Sequence, residues 1–253
     1  WGPVLCPWHC TAYWPNLMEN LFCRMPDFST RSQEAEWMDG ELAVPVLLQN
    51  LQEIHRLNLR MGIYSRWANL LQRKLDFTGP LRIAELGCGS GLGLVELQSR
   101  IPNAQVSWLG IDRNPDLMKE AKTLKTTGVE WLEGDAIAVC KELKAPLDWA
   151  IGTLFLHHLN AEELPRFLAE LKPIVRQGLI FEDLERSPFS FYGFKLLSSM
   201  LGLSSVSKHD GAISVLRSFR KRELESVFLQ AGWGNLTFYS SFPGRYFICA
   251  THV

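Results

Sequence analysis

"IAELGCGSGLGLVEL", from Ile83 to Leu97, is the stretch that decides the fold. An apolar run leads into a carboxylate, then into glycines at alternate positions, then into leucines at helical spacing. Strand, tight turn and helix follow in that order. Known uses of such a turn can be tested by counting. A dinucleotide fingerprint needs G-x-G-x-x-G, but the third glycine position falls on Leu92 counted from Gly87 and on Leu94 counted from Gly89. A nucleophile elbow needs G-x-S-x-G, but Ser90 has Cys88 and Leu92 two residues away. A phosphate loop would require a following Gly-Lys-Ser/Thr, which is absent. What remains is Glu85-x-Gly87-x-Gly89-x-Gly91. Glycines let the backbone approach a ligand closely and adopt positive φ. The carboxylate suits an ammonium group, so a cationic ligand carrying an amino acid fits better than a pyrophosphate.

Two more carboxylates fall in register with this turn. Asp112 ends the run "VSWLGID", about 20 residues beyond the glycines, where a carboxylate can take both hydroxyls of a ribose. Asp135 follows "VEWLEG", where it can read an exocyclic amine. Either residue alone reads as a helix cap or a solvated turn. Together with Glu85 they mark the C-terminal strand ends, the edge where open α/β sheets bind ligands.

Working outward, "LRIAEL", "VSWLGID", "VEWLEGD", "LDWAIGT" and "GLIFEDL" read as strands separated by helical patterns such as "PDLMKEAKTL" and "AEELPRFLAELKPIV". This alternation predicts an α/β fold: a seven-stranded, mostly parallel, doubly wound sheet with a reversed last strand. The reversed strand is expected from "NLTFYSSF" and "RYFICATHV", whose short connection implies an antiparallel hairpin after the helix "RKRELESVFLQAG". Residues 18–79 read as a helical lead-in, with Leu48, Leu51, Ile54 and Leu57 at three-residue steps and Met61, Tyr64, Trp67, Leu70 and Leu71 continuing a similar stripe. Those aromatics are expected on a buried helix face. Residues 80–253 form the ligand-binding domain, with a helical insertion at 187–218 between the fifth strand and the last helix. Residues 1–17 are rich in Trp, Pro and Cys, lack the pattern of a signal peptide, and are expected to be a non-native or disordered leader, with Met18 an ordinary start.

The bulk numbers remove several functions. A formal net charge of -1 with no Lys/Arg block leaves no electrostatic footprint for nucleic acid. No apolar run is long enough to span a bilayer. The six cysteines include no CxxC pair, which points to a reducing, cytoplasmic setting rather than a disulfide framework. Cys6, His9 and Cys10 are too few donors for a zinc site.

Four stretches, "AELGCGSGLG", "GIDRNPDLMKEAK", "EWLEGDA" and "GTLFLHHL", give residues 81–253 a resemblance to the class I S-adenosylmethionine-dependent methyltransferases. The resemblance implies S-adenosyl-L-methionine as cofactor. It implies Glu85, Gly87, Gly89 and Gly91 at the methionine moiety, Asp112 and Arg113 at the ribose, Asp135 and Ala136 at adenine, and Thr153 and Leu154 along the cofactor. More loosely, "EWMDGE" and "HDGAISVLRSFRKREL" look like bacterial methyltransferases of polyketide and quinone-type metabolism. Nucleic-acid amine methyltransferases carry an Asn/Asp-Pro-Pro-aromatic signature after the fourth strand; here the segment is "GTLFLHHLN". The metal-dependent catechol type places carboxylates there, where this chain has Thr153. Asp183 alone cannot hold magnesium, so no metal is expected.

The insertion carries the acceptor reading. "PFSFYGFKLLSSMLGL" is apolar and aromatic, either packing on the sheet edge or closing as a lid over an apolar pocket. The acceptor is then a small hydrophobic molecule. The expected reaction is O-methylation of a phenol- or polyketide-like compound. C-methylation of a quinone precursor and a non-catalytic cofactor-binding partner are the rivals. Methyl transfer depends on alignment, and a positioned base helps an oxygen or carbon nucleophile lose its proton. The candidate bases are His209 and Asp210, carried out of the insertion by a tight turn at Gly211, with His157 at the pocket edge and His158 structural. Arg217 is expected to anchor the insertion to the domain.

Overall fold

The computed structural model describes residues 26–102 and 105–252. The expected leader, Cys6, His9, Cys10, Met18 and Cys23 lie outside the described residues. The chain divides into two compact units, residues 1–30 and 31–253. Of the first, the described part is a short turn in which the Asp27 carboxylate accepts from the Ser29 amide at 2.7 Å and from the Thr30 hydroxyl at 3.0 Å.

In the second unit a seven-stranded sheet runs β3-β2-β1-β4-β5-β7-β6. Its strands are β1 (Leu81–Leu86), β2 (Val106–Asp112), β3 (Val129–Glu133), β4 (Leu147–Thr153), β5 (Val175–Leu184), β6 (Gly234–Ser241) and β7 (Arg245–Thr251). The first five pair in parallel, and β7 enters antiparallel between β5 and β6. The helices before the insertion are α1 (Val44–Arg60), α2 (Ile63–Lys74), α3 (Leu92–Arg100), α4 (Pro115–Ala121), α5 (Ala136–Glu142) and α6 (Glu163–Leu171). The insertion folds into α7 (Pro188–Met200) and α8 (Ser205–Arg217), and α9 (Lys221–Gln230) precedes the final hairpin.

Central strands are near-continuous apolar runs because both sheet faces are covered. Successive residues point to opposite faces, and the two cores record it. Ala84, Leu86, Phe181 and Ile248 pack with Leu164, Leu168 and Phe228 of α6 and α9. Ile83, Ile180 and Phe247 pack instead with Ile63, Trp67 and Leu71 of α2 and Leu94 of α3. The lead-in thus supplies one wall of the sheet's own core. No helix among the described residues is long and apolar enough to cross a membrane.

Strand order reverses between β1 and β4, and crevices open at such a point above the C-terminal strand ends. The helix starts around it are locally encoded. Gly91, at φ 79°, caps α3 in a left-handed conformation. Asn114 and Asp135 cap α4 and α5 by accepting from the next free amides.

Candidate functional site

A cleft of about 1080 Å³ opens at the switch point, above the usual range for a single ligand. Glu85, Gly87, Gly89, Asp112, Arg113, Asp135, Ala136, Thr153 and Leu154 all line it. Gly91 stands behind the wall rather than in it. A Cβ there would fall 2.6 Å from the Trp131 ring, so this glycine is required by packing as well as by its positive φ. Gly87 fits as tightly, since a Cβ there would overlap the Phe155 ring.

Glu85 is the most constrained group. It ends β1 with its side chain buried, accepting from the Thr153 hydroxyl at 3.2 Å through one oxygen. The other oxygen is buried with no hydrogen-bond partner among the described residues. Burial, reinforced by the nearby Asp112 carboxylate, pushes the Glu85 pKa up to about 8. Glu85 lines the cleft, and an orphaned carboxylate oxygen there suits an arriving ammonium. Asp112 is held differently: one oxygen accepts from Gly89 N–H at 2.8 Å and the other from Asn114 N–H at 2.9 Å. A carboxylate has about four acceptor sites, so these bonds orient it and leave capacity for hydroxyls. Asp135 spends one oxygen on the amides of Ile137 and Ala138 at 3.1 and 3.0 Å. Leu154 holds φ 54°, a strained conformation for a branched residue, while its N–H donates to Glu182 O at 2.8 Å.

On the opposite side the cleft is closed by the 3-10 turn Trp37–Asp39, by α1 through Leu47, Leu51 and Ile54, and by the 3-10 turn Leu156–His158. It adjoins a small apolar chamber of about 80 Å³ under the insertion, lined by Leu57, Phe194, Leu197 and Val215. Glu36, Met38, Ile54, Asn58, Leu154 and Ser214 border both spaces.

The structure corrects the placement of the expected bases. His209, Asp210 and Gly211 lie within the continuous helix α8, not in a turn. Gly211 serves helix contact, because a Cβ there would run into the Phe194 ring. Asp210 is buried and accepts from the amides of Trp37 at 2.8 Å and Met38 at 3.0 Å, clamping the 3-10 turn onto α8. His209 stacks on Trp37 with ring centroids 3.9 Å apart and borders neither cavity. Arg217 bridges the Asp39 carboxylate at 3.0 Å and the His158 carbonyl at 3.3 Å, tying the insertion to both closing turns.

His157 lines the cleft from a buried position. It is 2% exposed, with Nδ1 2.7 Å from Asp183 and Nε2 3.4 Å from Glu36. Burial opposes its charge, but Asp183 and Glu36 outweigh that and raise its pKa to about 10. Both of its ring nitrogens thus face carboxylates. His158, expected to be structural, lines the cleft 3.3 Å from Asp39. Despite burial, His158 and Arg217 pull the Asp39 carboxyl down to about 2. Sequence reasoning missed Glu36 and Asp39 because they stand more than a hundred residues before the histidines. The one available signal was "EWMDGE", in which Glu36 and Asp39 flank Trp37 and Met38.

Residues 83–178 match the family profile described as a methyltransferase domain. Trans-aconitate 2-methyltransferase of Pseudomonas paraeruginosa is 31% identical over 117 residues, 44% of this chain and 42% of that protein. The ubiquinone/menaquinone biosynthesis C-methyltransferase UbiE of Geobacter sp. is 27% identical over 169 residues, 64% of this chain and 69% of that one. The chain thus spans less than half the length of its trans-aconitate relative. Among solved structures, the plantazolicin methyltransferase BamL, in complex with a triazolic desmethylPZN analogue and SAH, superposes with a TM-score of 0.63 at 12% identity. That match covers 86% of this chain and 93% of BamL.

Proposed function

We propose that this chain, which carries a class I S-adenosylmethionine-dependent methyltransferase domain, transfers a methyl group to an oxygen of a small hydrophobic acceptor, such as a phenol- or polyketide-like compound. The observation that carries the reading is the orphaned, buried carboxylate oxygen of Glu85, a residue that lines the cleft at the glycine turn. S-Adenosylmethionine would supply the methyl on its sulfonium. Glu85 would accept from the cofactor's ammonium, Asp112 from the ribose hydroxyls, and Asp135 and Ala136 would meet the adenine.

The acceptor's side of the cleft supports an apolar molecule. Leu47, Leu51, Ile54 and Met38 line it, and the adjoining chamber is apolar as well. The charged and titratable groups there are chiefly Glu36, Asp39, Asp210, His157 and His158, together with Arg245, whose guanidinium faces Glu182 at 2.8 Å. A tricarboxylate like trans-aconitate would find no unpaired cation among the residues bordering the chamber. The helix α8 is clamped to the 3-10 turn at the acceptor side, and catalysis rests on alignment. The similarity to a quinone C-methyltransferase keeps carbon methylation as the second reading.

The test is turnover with a panel of substituted phenols and hydroxyquinones, following S-adenosylhomocysteine formation and locating the new methyl by NMR. O-Methylated products support the proposal. Product methylated on ring carbon moves the assignment to the second reading, and cofactor binding without any turnover removes the enzyme reading for this panel.

A further inference from the structure

Where the closing turns meet, donor atoms of a metal-binding kind converge. Among the described residues, Glu36, His157 and His158 each offer one ligand atom, and these atoms lie within 4.8 Å of one another. From the sequence no metal is expected, since Thr153 stands where the catechol type places carboxylates and Asp183 alone cannot hold magnesium. The fold brings them together on one wall of the cleft.

Three features distinguish this cluster from a chance grouping of polar side chains. First, its composition is two imidazoles and one carboxylate, the donor set that zinc and related divalent transition metals favour, with further coordination positions left for water or a ligand. Second, the outer partners are already in place. His157 Nδ1 is 2.7 Å from Asp183 Oδ1, and the Asp183 carboxylate also accepts from His157 N–H at 3.0 Å. A carboxylate holding the far nitrogen fixes the ring and directs Nε2 toward the remaining ligands, as the partners of metal-bound histidines commonly do. The Ser214 hydroxyl donates to Glu36 Oε1 at 2.9 Å and steadies that carboxylate. Asp39 stands 3.3 Å from His158 and is braced in turn by Arg217. Third, three carboxylates, Glu36, Asp39 and Asp183, converge on the two histidines, with Arg217 paired to Asp39 and Arg31 donating to the carbonyls of His157 and Leu159. The two imidazole rings lie with centroids 4.3 Å apart at an interplanar angle of 35°, close enough to share one ion.

We infer that Glu36, His157 and His158 form a binding site for one divalent transition-metal ion of the zinc type, on the acceptor side of the cleft. The ion would sit between Glu36 and His157 Nε2, taking the place of their direct contact at 3.4 Å. Any coordination position left open would be reachable from the cleft, which all three residues line. Resting on the proposed function, this would let it take the acceptor's oxygen as a ligand and lower the pKa of that hydroxyl.

The full chain, stripped with EDTA and dialysed, is titrated with Zn²⁺ by calorimetry and with Co²⁺ by visible absorption. One ion per chain and a cobalt spectrum of low-symmetry coordination are expected. Glu36→Gln and His158→Ala should each weaken Zn²⁺ binding about 10- to 100-fold or more, and Asp183→Asn by about 10- to 100-fold through its hold on His157. His158 is partly exposed, so its variant keeps the test open should Glu36→Gln fail to fold. Absence of stoichiometric binding by the parent chain overturns the inference. So does binding left intact in both Glu36→Gln and His158→Ala. S-Adenosylhomocysteine titrated into the same samples separates the two readings. Cofactor binding without zinc binding overturns the metal site alone, and zinc binding without cofactor binding overturns the methyltransferase reading while supporting the site.

Discussion

Replacing Glu85 by Gln should make the protein more stable and a poorer cofactor binder. The carboxyl is buried, its pKa raised from an ordinary 4.5 to about 8 by burial and then by Asp112. A carboxyl with a raised folded-state pKa contributes stability below its unfolded pKa, and this is lost as pH rises through the folded one. For Glu85 the loss runs from about pH 4.5 to about pH 8. Above that window the gap corresponds to a ceiling of about 5 kcal/mol. The side chain borders an open cleft, so water and local relaxation should reduce the realised cost to about 2 kcal/mol. The substituted carboxamide would be neutral and near-isosteric, and would still accept from the Thr153 hydroxyl. Chemical denaturation of the ligand-free protein should therefore show parent and Glu85→Gln nearly equal at pH 5. At pH 9 the variant should be ahead by about 2 kcal/mol. Calorimetry at pH 8 should show S-adenosylhomocysteine binding weakened about 10- to 100-fold, the loss of a charge-assisted contact to its ammonium. An equal stability gain at both pH values would refute the buried-charge reasoning, and unchanged affinity would refute the assignment of the ammonium to Glu85.

Asp112→Ala should weaken S-adenosylhomocysteine binding by about 1.5–3 kcal/mol, about ten- to a hundredfold, and calorimetry on the folded variant checks it. Gly91→Ala combines a left-handed backbone with a Cβ 2.6 Å from Trp131, so it should cost about 2–4 kcal/mol of stability in denaturant melts. A near-neutral result would mean that Trp131 yields freely. Asp210→Ala strips two backbone amides of their acceptor, and should lower stability by about 1–3 kcal/mol while hastening proteolysis around residues 36–40. Loss of turnover with stability and proteolysis unchanged would return Asp210 to a direct catalytic role. Gly211→Ala drives a Cβ into the ring of Phe194, which lines the apolar chamber. It should raise the acceptor's KM and leave cofactor affinity intact, and steady-state kinetics on an identified acceptor would reveal the reverse pattern if the chamber played no part.

Sequence alone carried most of the scaffold because its signals are local. The strands that flank the cleft are continuous apolar runs, their helix starts carry Gly91, Asn114 and Asp135, and each cofactor-side carboxylate sits at the end of a strand. Order along the chain then maps directly onto one sheet edge. The acceptor side is assembled differently. Glu36 and Asp39 come from the lead-in, His157 and His158 from the turn after β4, Asp183 from β5 and Ser214 from α8. Their meeting depends on tertiary packing that no periodicity records. The misread segment shows the same limit. "HDG" resembles a turn because glycine often makes one, yet Gly211 serves an α7–α8 contact whose other half, Phe194, lies seventeen residues earlier. In a helix interior a glycine can mark close packing as readily as a bend.

The most direct test is a crystal structure of the full chain with S-adenosylhomocysteine. The ligand is expected in the cleft between β1 and β4, its ammonium within hydrogen-bond distance of Glu85, its ribose hydroxyls on Asp112 and its adenine beside Asp135. Its sulfur should face Glu36, His157 and His158. A ligand bound elsewhere, or one seated with its amino-acid end away from Glu85, would contradict the assignment of this cleft to methyl transfer.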